Sequence, residues 1–209
     1  MDAAVFKAWI VSAAAAIEAN RDHLTRLDAA IGDADHGINL SRGFTAVLRA
    51  LDPASKTPGA ILTLTGNALI SKVGGASGPL YGVAFRRAGK SLGDAADVDL
   101  PAVAAALQAA LVGVQQLGAA REGDKTMVDA LAAAARAFSK AVAEGASQDN
   151  ALGSLAWAAQ AGAAATISMQ ALKGRASYLG PRSVGHEDPG AASTALILTA
   201  LRDTARETR

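Results

Sequence analysis

The sequence predicts a single all-α domain, and three observations predict it. Apolar residues make up 51% of the 209 residues, yet most are Ala and aromatics are only 4%. Ala is the best helix former, and its small side chain lets helices approach closely. Apolar residues also recur at spacings of three and four, while Gly and Pro cut the chain into helix-length pieces. The length suits one sizeable core, so residues 1–209 are expected to form one domain.

Eight helices are expected in order. The first follows Asp2 as N-cap, buries Val5, Trp9, Ala13 and Ile17, and runs through Leu24 and Leu27 on the same stripe. The second spans about Asn39 to Leu51, and Asp52-Pro53 ends it. Thr57-Pro58 opens the third as an N-cap with Pro in the first turn; Ile61, Leu62, Leu69 and Ile70 are apolar and Gly74-Gly75 stops it. The fourth has Pro79 near its first turn and ends near Gly93. Asp99 and Pro101 start the fifth, which carries Val103, Leu107, Ala110, Val114 and Leu117 and closes at Gly118. Asp124 is expected to cap the sixth, with Met127, Leu131, Ala134, Phe138 and Val142 on one face before Gly145. The seventh runs from about Ser147 to Leu172, so rich in Ala and Gly that tight enclosure is expected. A long loop, Lys173 to Gly190, precedes the eighth helix, Ala191 to about Arg206.

Composition also excludes. The net charge is +1 and basic residues form no run, which argues against a nucleic-acid partner. No apolar stretch of about 18 residues is expected to have membrane-like hydrophobicity, so no transmembrane helix and no membrane partner are anticipated. The start, MDAAVFKAWI, lacks the basic-then-apolar order of a signal peptide. The lack of Cys is compatible with a reducing compartment, and a cytoplasmic location is the expectation.

The connectors fall into two kinds. DPASKT, GDAADVD and EGASQ are ordinary polar links, whereas GDADHG, GGASG, AAREGDKT and KGRASYLGPRSVGHEDPG carry unusual chemistry. If successive helices run antiparallel, as short links favour, the two kinds alternate between opposite ends of a bundle. The four unusual loops then meet at one end, where a rigid scaffold would present them together.

Each of those loops has candidates for chemistry. Asp28, Asp33 and Asp35 place three carboxylates within eight positions, and such mutual repulsion calls for protons or a cation. Mg2+ takes oxygen ligands and commonly shares a substrate's phosphates. An acidic surface loop is the plain alternative. In GGASGP, Ser77 lies between glycines before a helix N-terminus, where backbone N–H groups suit a phosphate; an ordinary Gly C-cap followed by a Pro-started helix reads the same way. His36 could orient a phosphate or simply be solvated, and Asn39 is either an N-cap or a ligand contact. Thr126-Met127 could line a base pocket or simply pack. Arg175 is the best phosphate clamp, since its planar fork can stabilise charge on a transferring phosphoryl group, with Lys173 and Arg182 as competitors. An 18-residue loop from Lys173 to Gly190 is itself long for a compact domain and points to function.

Together GDADHGINLSRGF, GGASGPLYG, GDKTMVDAL and GRASYLGPRSVGHEDPGAAS resemble the nucleotide-binding L subunits of dihydroxyacetone kinases, from near residue 5 to the C-terminus. The resemblance implies an eight-helix antiparallel up-and-down barrel with ADP or ATP bound at one end. It implies that Asp28, Asp33 and Asp35 hold two Mg2+ ions, and that His36, Gly37, Ile38, Asn39, Ala76, Ser77, Gly118 and Met127 contact the nucleotide. Arg175, Asp188, Pro189 and Gly190 would complete the pocket, with Arg175 catalytic. Ala34 looks more like the phosphotransferase-linked type than the ATP-dependent one, where Gly is common. A separate K-type subunit would hold the sugar, and a phosphotransferase-system phosphocarrier is a second partner; the chain alone should be inactive. A metal-dependent phosphohydrolase or a regulatory nucleotide-binding module is the alternative use of the same residues.

Overall fold

The computed structural model describes residues 1–51 and 55–208, and among them it is 78% helical with no strands. Its α-helices are α1 (Ala3–Ala19), α2 (Arg21–Ile31), α3 (His36–Ala50), α4 (Pro58–Lys72), α5 (Ser77–Leu92), α6 (Leu100–Gly118), α7 (Met127–Ala143), α8 (Gln148–Ala165) and α9 (Pro189–Glu207). Two 3-10 segments, Thr166–Ser168 and Arg175–Ser183, lie between α8 and α9. From α3 to α9 each helix packs on its successor, and α1 closes the ring by packing on both α9 and α3. Trp9 fastens that closure: its indole Nε1 donates to the Ile197 carbonyl of α9 at 2.8 Å. Its ring meets Phe6 and Phe85 inside the barrel, and Phe85 meets Phe44. This is the expected barrel.

Caps expected at Asp2, Thr57 and Asp99 are present, each side chain accepting from its own helix's first-turn N–H groups. The expected cap at Asp124 is not. Thr126 caps α7 in a reciprocal box with Asp129, while buried Asp124 accepts from the Arg121 N–H at 2.8 Å and shapes the turn before it. The Asp52-Pro53 helix stop lies outside the described residues.

The first expected helix is two. Asn20 ends α1, its Nδ2 and backbone N–H both donating to the Ala16 carbonyl, and α2 leaves at 61°. The bend folds α2 over the barrel end and brings Asp28 towards the other loops. Along α1 the buried stripe is Phe6, Trp9, Ile10, Ala13 and Ile17, with Val5 only partly covered. α3 starts at His36, three residues before the expected Asn39, because Asp28 Oδ2 accepts the N–H groups of Asp35 and His36 at 2.8 and 3.0 Å. That cap comes from the preceding helix, so no local signal announces it.

Helix α8 stops at Ala165, short of Leu172. Thr166 turns its hydroxyl onto the Ala163 carbonyl, and its own carbonyl is taken by the Lys125 ammonium. Close approach explains part of α8's composition: a Cβ at Gly162 would lie 2.6 Å from the Asp129 carbonyl oxygen of α7. The enclosure is one-sided, however, and Trp157 on the opposite face is 71% exposed. Among the described residues one unbroken helix, α6, is long and apolar enough to cross a membrane by length and composition, with mean hydropathy 1.5, contrary to expectation. Its Val103, Leu107, Ala110 and Val114 are buried between α5 and α7 instead.

Candidate functional site

The four unusual connectors meet at one end of the barrel around a cavity of about 320 Å³. Asp28, Asp33, Asp35 and His36 form one wall; Ala76 and Ser77 at the start of α5 form another. Met127 at the start of α7, Arg175, and Asp188, Pro189 and Gly190 at the start of α9 complete it. The N-termini of α3, α5, α7 and α9 therefore all open on this space, so the positive ends of four helix dipoles face it. Side-chain oxygens cap α3, α7 and α9, and the uncapped start of α5 is the end whose N–H groups best suit an anion.

Carboxylate oxygens of Asp28, Asp33 and Asp35 lie within 4.8 Å of one another. Asp28 is only 8% exposed, with Oδ2 committed to the two backbone N–H groups that start α3. Ala34, between the other two aspartates, holds a left-handed φ of 62°, a tight turn that brings both carboxylates to one side. An all-oxygen, multiply charged donor set suits a hard dication, so the residues present fit Mg2+. Arg175 Nη2 donates to Asp33 Oδ2 at 2.9 Å, which sets the guanidinium at the edge of the carboxylate cluster.

Behind this wall runs a buried hydrogen-bonded chain. His36 Nε2 meets Ser193 Oγ at 2.8 Å, Ser193 meets the Tyr81 hydroxyl at 2.7 Å, and Tyr81 meets Thr194 Oγ1 at 2.9 Å. Ser193 also donates to the Pro189 carbonyl, an arrangement in which His36 donates through Nε2 and offers Nδ1 as acceptor. Burial pushes the imidazole below its ordinary pKa, against the pull of Asp28 and Asp35, and pushes the Tyr81 phenol up, so both stay neutral near pH 7.

Four of the expected nucleotide contacts do not line the cavity. Gly37 faces α2: a Cβ there would stand 2.0 Å from the Arg21 carbonyl oxygen, so this glycine is a packing requirement. Ile38 is 51% exposed and lines an outer groove with Arg21, Asp22, Thr25 and Arg26. Asn39 lies inside the first turn of α3, not at its cap, and accepts from Arg42 at 2.7 Å. Gly118 ends α6 one layer back, against Leu80, whose own side chain reaches the cavity. Of Arg175's competitors, Lys173 lines the cavity and Arg182 does not. Sequence reasoning missed Lys125 and Tyr81, both on the wall and both buried. The signal for Lys125 was in GDKT, where a Lys next to a helix start reads by default as a solvated charge.

Asp188 caps α9 through Oδ2 to the Ala191 N–H at 2.7 Å. Burial nevertheless pushes its carboxyl from 3.8 up to about 7, the Ala191 N–H and the Lys125 charge pulling the other way. Below about pH 4 the carboxyl is protonated folded or unfolded; between about 4 and 7 only the unfolded chain releases the proton. Stability should therefore fall as pH rises through that window, by up to about 4 kcal/mol from this residue. Asp188→Asn keeps a cap and should remove that part of the slope. Denaturant midpoints from pH 4 to 7.5, without divalent cations, test this; parallel slopes for the two proteins would refute it.

The DAK2 domain family model matches residues 30–203. The chain is 40% identical over 200 residues to the ADP-binding subunit of the PEP-dependent dihydroxyacetone kinase of Escherichia coli K12, covering 95% of each chain. It is 38% identical to the ADP-binding subunit of the PTS-dependent enzyme of Lactococcus lactis, over 92% of this chain and 93% of that one. The crystal structure of the C. freundii dihydroxyacetone kinase in complex with AMP-PNP and Mg2+ superposes with a TM-score of 0.73 at 29% identity. That match covers 97% of this chain and 34% of the longer one. With the barrel, the carboxylate cluster and the open helix N-termini at one end, these likenesses establish that the chain belongs to the DAK2 domain family, among the nucleotide-binding L subunits of dihydroxyacetone kinases.

Proposed function

We propose that the chain holds a magnesium nucleotide in this cavity and passes its terminal phosphoryl group to dihydroxyacetone, or a related small ketose, held by a separate K-type subunit. One observation carries the reading: three carboxylates, one guanidinium and four helix N-termini converge on a single cavity. Asp28, Asp33 and Asp35 are the residues to hold the metal, and three carboxylates suit two Mg2+ ions that also share the phosphates. Those ions would neutralise the phosphate charge that resists nucleophilic approach.

Phosphoryl transfer asks little covalent chemistry of a protein; it asks for position and charge. Ser77 and the amide of Ala76 would hold phosphate oxygens, and Thr126, Met127 and Leu80 give the cavity an apolar side for a base. His36, neutral with Nδ1 an acceptor, would instead take a hydrogen bond from a hydroxyl of the nucleotide. Gly118 acts behind Leu80, and Gly37, Ile38 and Asn39 act through the start of α3 rather than by side-chain contact. Asp188 and Pro189 set where α9 begins and so where its N–H groups point. Arg175 faces the reacting end, where charge shifts as the bond to the departing group breaks.

Both full-length relatives described above are ADP-binding subunits of PEP- or PTS-dependent enzymes, and Ala34 leans the same way. The proposal therefore extends to a retained ADP rephosphorylated in place by a phosphocarrier protein in the cytoplasm. The test is to purify the chain, release and identify its nucleotide, and assay dihydroxyacetone phosphorylation with a K-type subunit and either ATP or a phosphoenolpyruvate-driven carrier system. The expected result is bound ADP, activity only in the mixture, and the carrier system as the effective donor. Phosphorylation by the chain alone would refute division of labour, and turnover of simple phosphoesters would favour a hydrolase.

A further inference from the structure

The segment between α8 and α9 leaves the barrel at Thr166 and returns at Asp188. Its neck is tied by one side chain from another loop. Lys125 is 1% exposed, and its Nζ donates to the Thr166 carbonyl at 2.5 Å and to the His186 carbonyl. These two acceptors stand at opposite ends of the segment that carries Lys173 and Arg175. Smaller bonds close the same neck: Leu172 N–H to the Asp124 carbonyl, Gly185 N–H to the Ile167 carbonyl, and Asp188 N–H to Thr166 Oγ1.

Two costs meet at this residue. A buried ammonium loses its hydration, and Asp188, Asp129 and Glu187 only partly offset the burial that disfavours its charge. Its backbone also holds a left-handed φ of 61°, which a side chain other than Gly adopts at a price. Stability alone is a poor reason to keep such a residue, because an apolar side chain of similar size commonly serves a core at least as well. What an apolar side chain lacks is the pair of donors across the neck.

We propose that Lys125 is a positioning residue: a clasp that holds the 167–187 segment shut, keeping Arg175 against the carboxylate cluster and Asp188 at the start of α9. A small apolar cluster of Ile31, Ala171 and Ala176, with Leu179 against it, seats the closed segment on α2. The kinetic half of the test rests on the transfer role given to Arg175; the structural half does not.

Hydrogen exchange on the full chain tests the clasp directly. Lys125→Met, which keeps an unbranched chain of nearly the same length and removes the donors, should speed amide exchange across 167–187 by at least about tenfold while the buried faces of α5, α6 and α7 keep their protection. Lys125→Arg, which keeps charge and donors, should stay within about threefold of the parent there. If Lys125→Met loses its helical circular dichroism, the Arg variant decides alone: a segment as loose as in an unclasped loop overturns the clasp. Rates in the reconstituted kinase then separate positioning from bulk stability. Lys125→Met should slow transfer at saturating nucleotide about tenfold or more, weaken MgADP binding less, and have under about threefold effect when Arg175→Ala is already present. Additive losses would overturn action through Arg175. Unchanged exchange sinks the clasp whatever Arg175 does, whereas a harmless Arg175→Ala sinks the transfer role and leaves the exchange result standing.

Discussion

Replacing Arg175 by Ala should slow phosphoryl transfer by the reconstituted kinase on the order of 10³-fold, while MgADP affinity falls by less than about tenfold. The asymmetry follows from where the guanidinium sits. It touches Asp33 at the rim of the carboxylate cluster and is largely exposed, so its ground-state bond contributes little, about 1 kcal/mol or less. The same planar cation gains most when negative charge spreads over the departing phosphoryl group in a water-excluded site, and a docked sugar-bearing subunit would exclude that water. Single-turnover transfer rates and calorimetric titration with MgADP read the two effects separately. Equal losses in both would make Arg175 a binding residue. Intact transfer would shift the role to Lys173, the other cation on the cavity wall.

The barrel and the end at which the site lies were legible because both are written in short-range pattern. Apolar spacing marked most of the buried helix faces, although Leu117 and Ile70, expected on those stripes, are 54% and 41% exposed. The alternation of plain and unusual connectors marked which loops meet. What escaped was carried by contacts between segments. Asn20 looks like any polar helix residue until its bond to Ala16 ends α1 and α2 departs at 61°. The start of α3 moved to His36 because Asp28, on the previous helix, supplies the cap. Asp124 and Thr126 are both good caps, and the choice between them falls to Asp129, whose carboxylate completes a box only with Thr126. Ile38 illustrates the opposite error. It lies in a motif stretch, yet helical geometry turns it about 200° from its neighbour His36 and onto the outer surface.

Asp28 differs from Asp33 and Asp35 in being buried and bonded to two backbone N–H groups, and the second large effect is expected to divide along that line. Asp33→Asn and Asp35→Asn should each weaken Mg2+-dependent nucleotide binding by about a hundredfold or more. Each removes one of three charges that offset a dication, and Mg2+ is exacting about its oxygen ligands. Neither side chain is needed to hold the fold, and relief of carboxylate repulsion should leave the apo thermal midpoint unchanged or raised. Asp28→Asn should lose the same binding and also destabilise the chain by about 1–2 kcal/mol, because its buried carboxylate makes charge-assisted bonds to the Asp35 and His36 N–H groups. Calorimetric titration with ADP, with and without Mg2+, and thermal unfolding of the apo variants measure both halves. Unchanged MgADP affinity in the Asp33 and Asp35 variants would remove the metal from this cluster. An Asp28→Asn midpoint equal to the parent's would mean that α3 starts at His36 without that anchor, and the metal role alone would then account for Asp28.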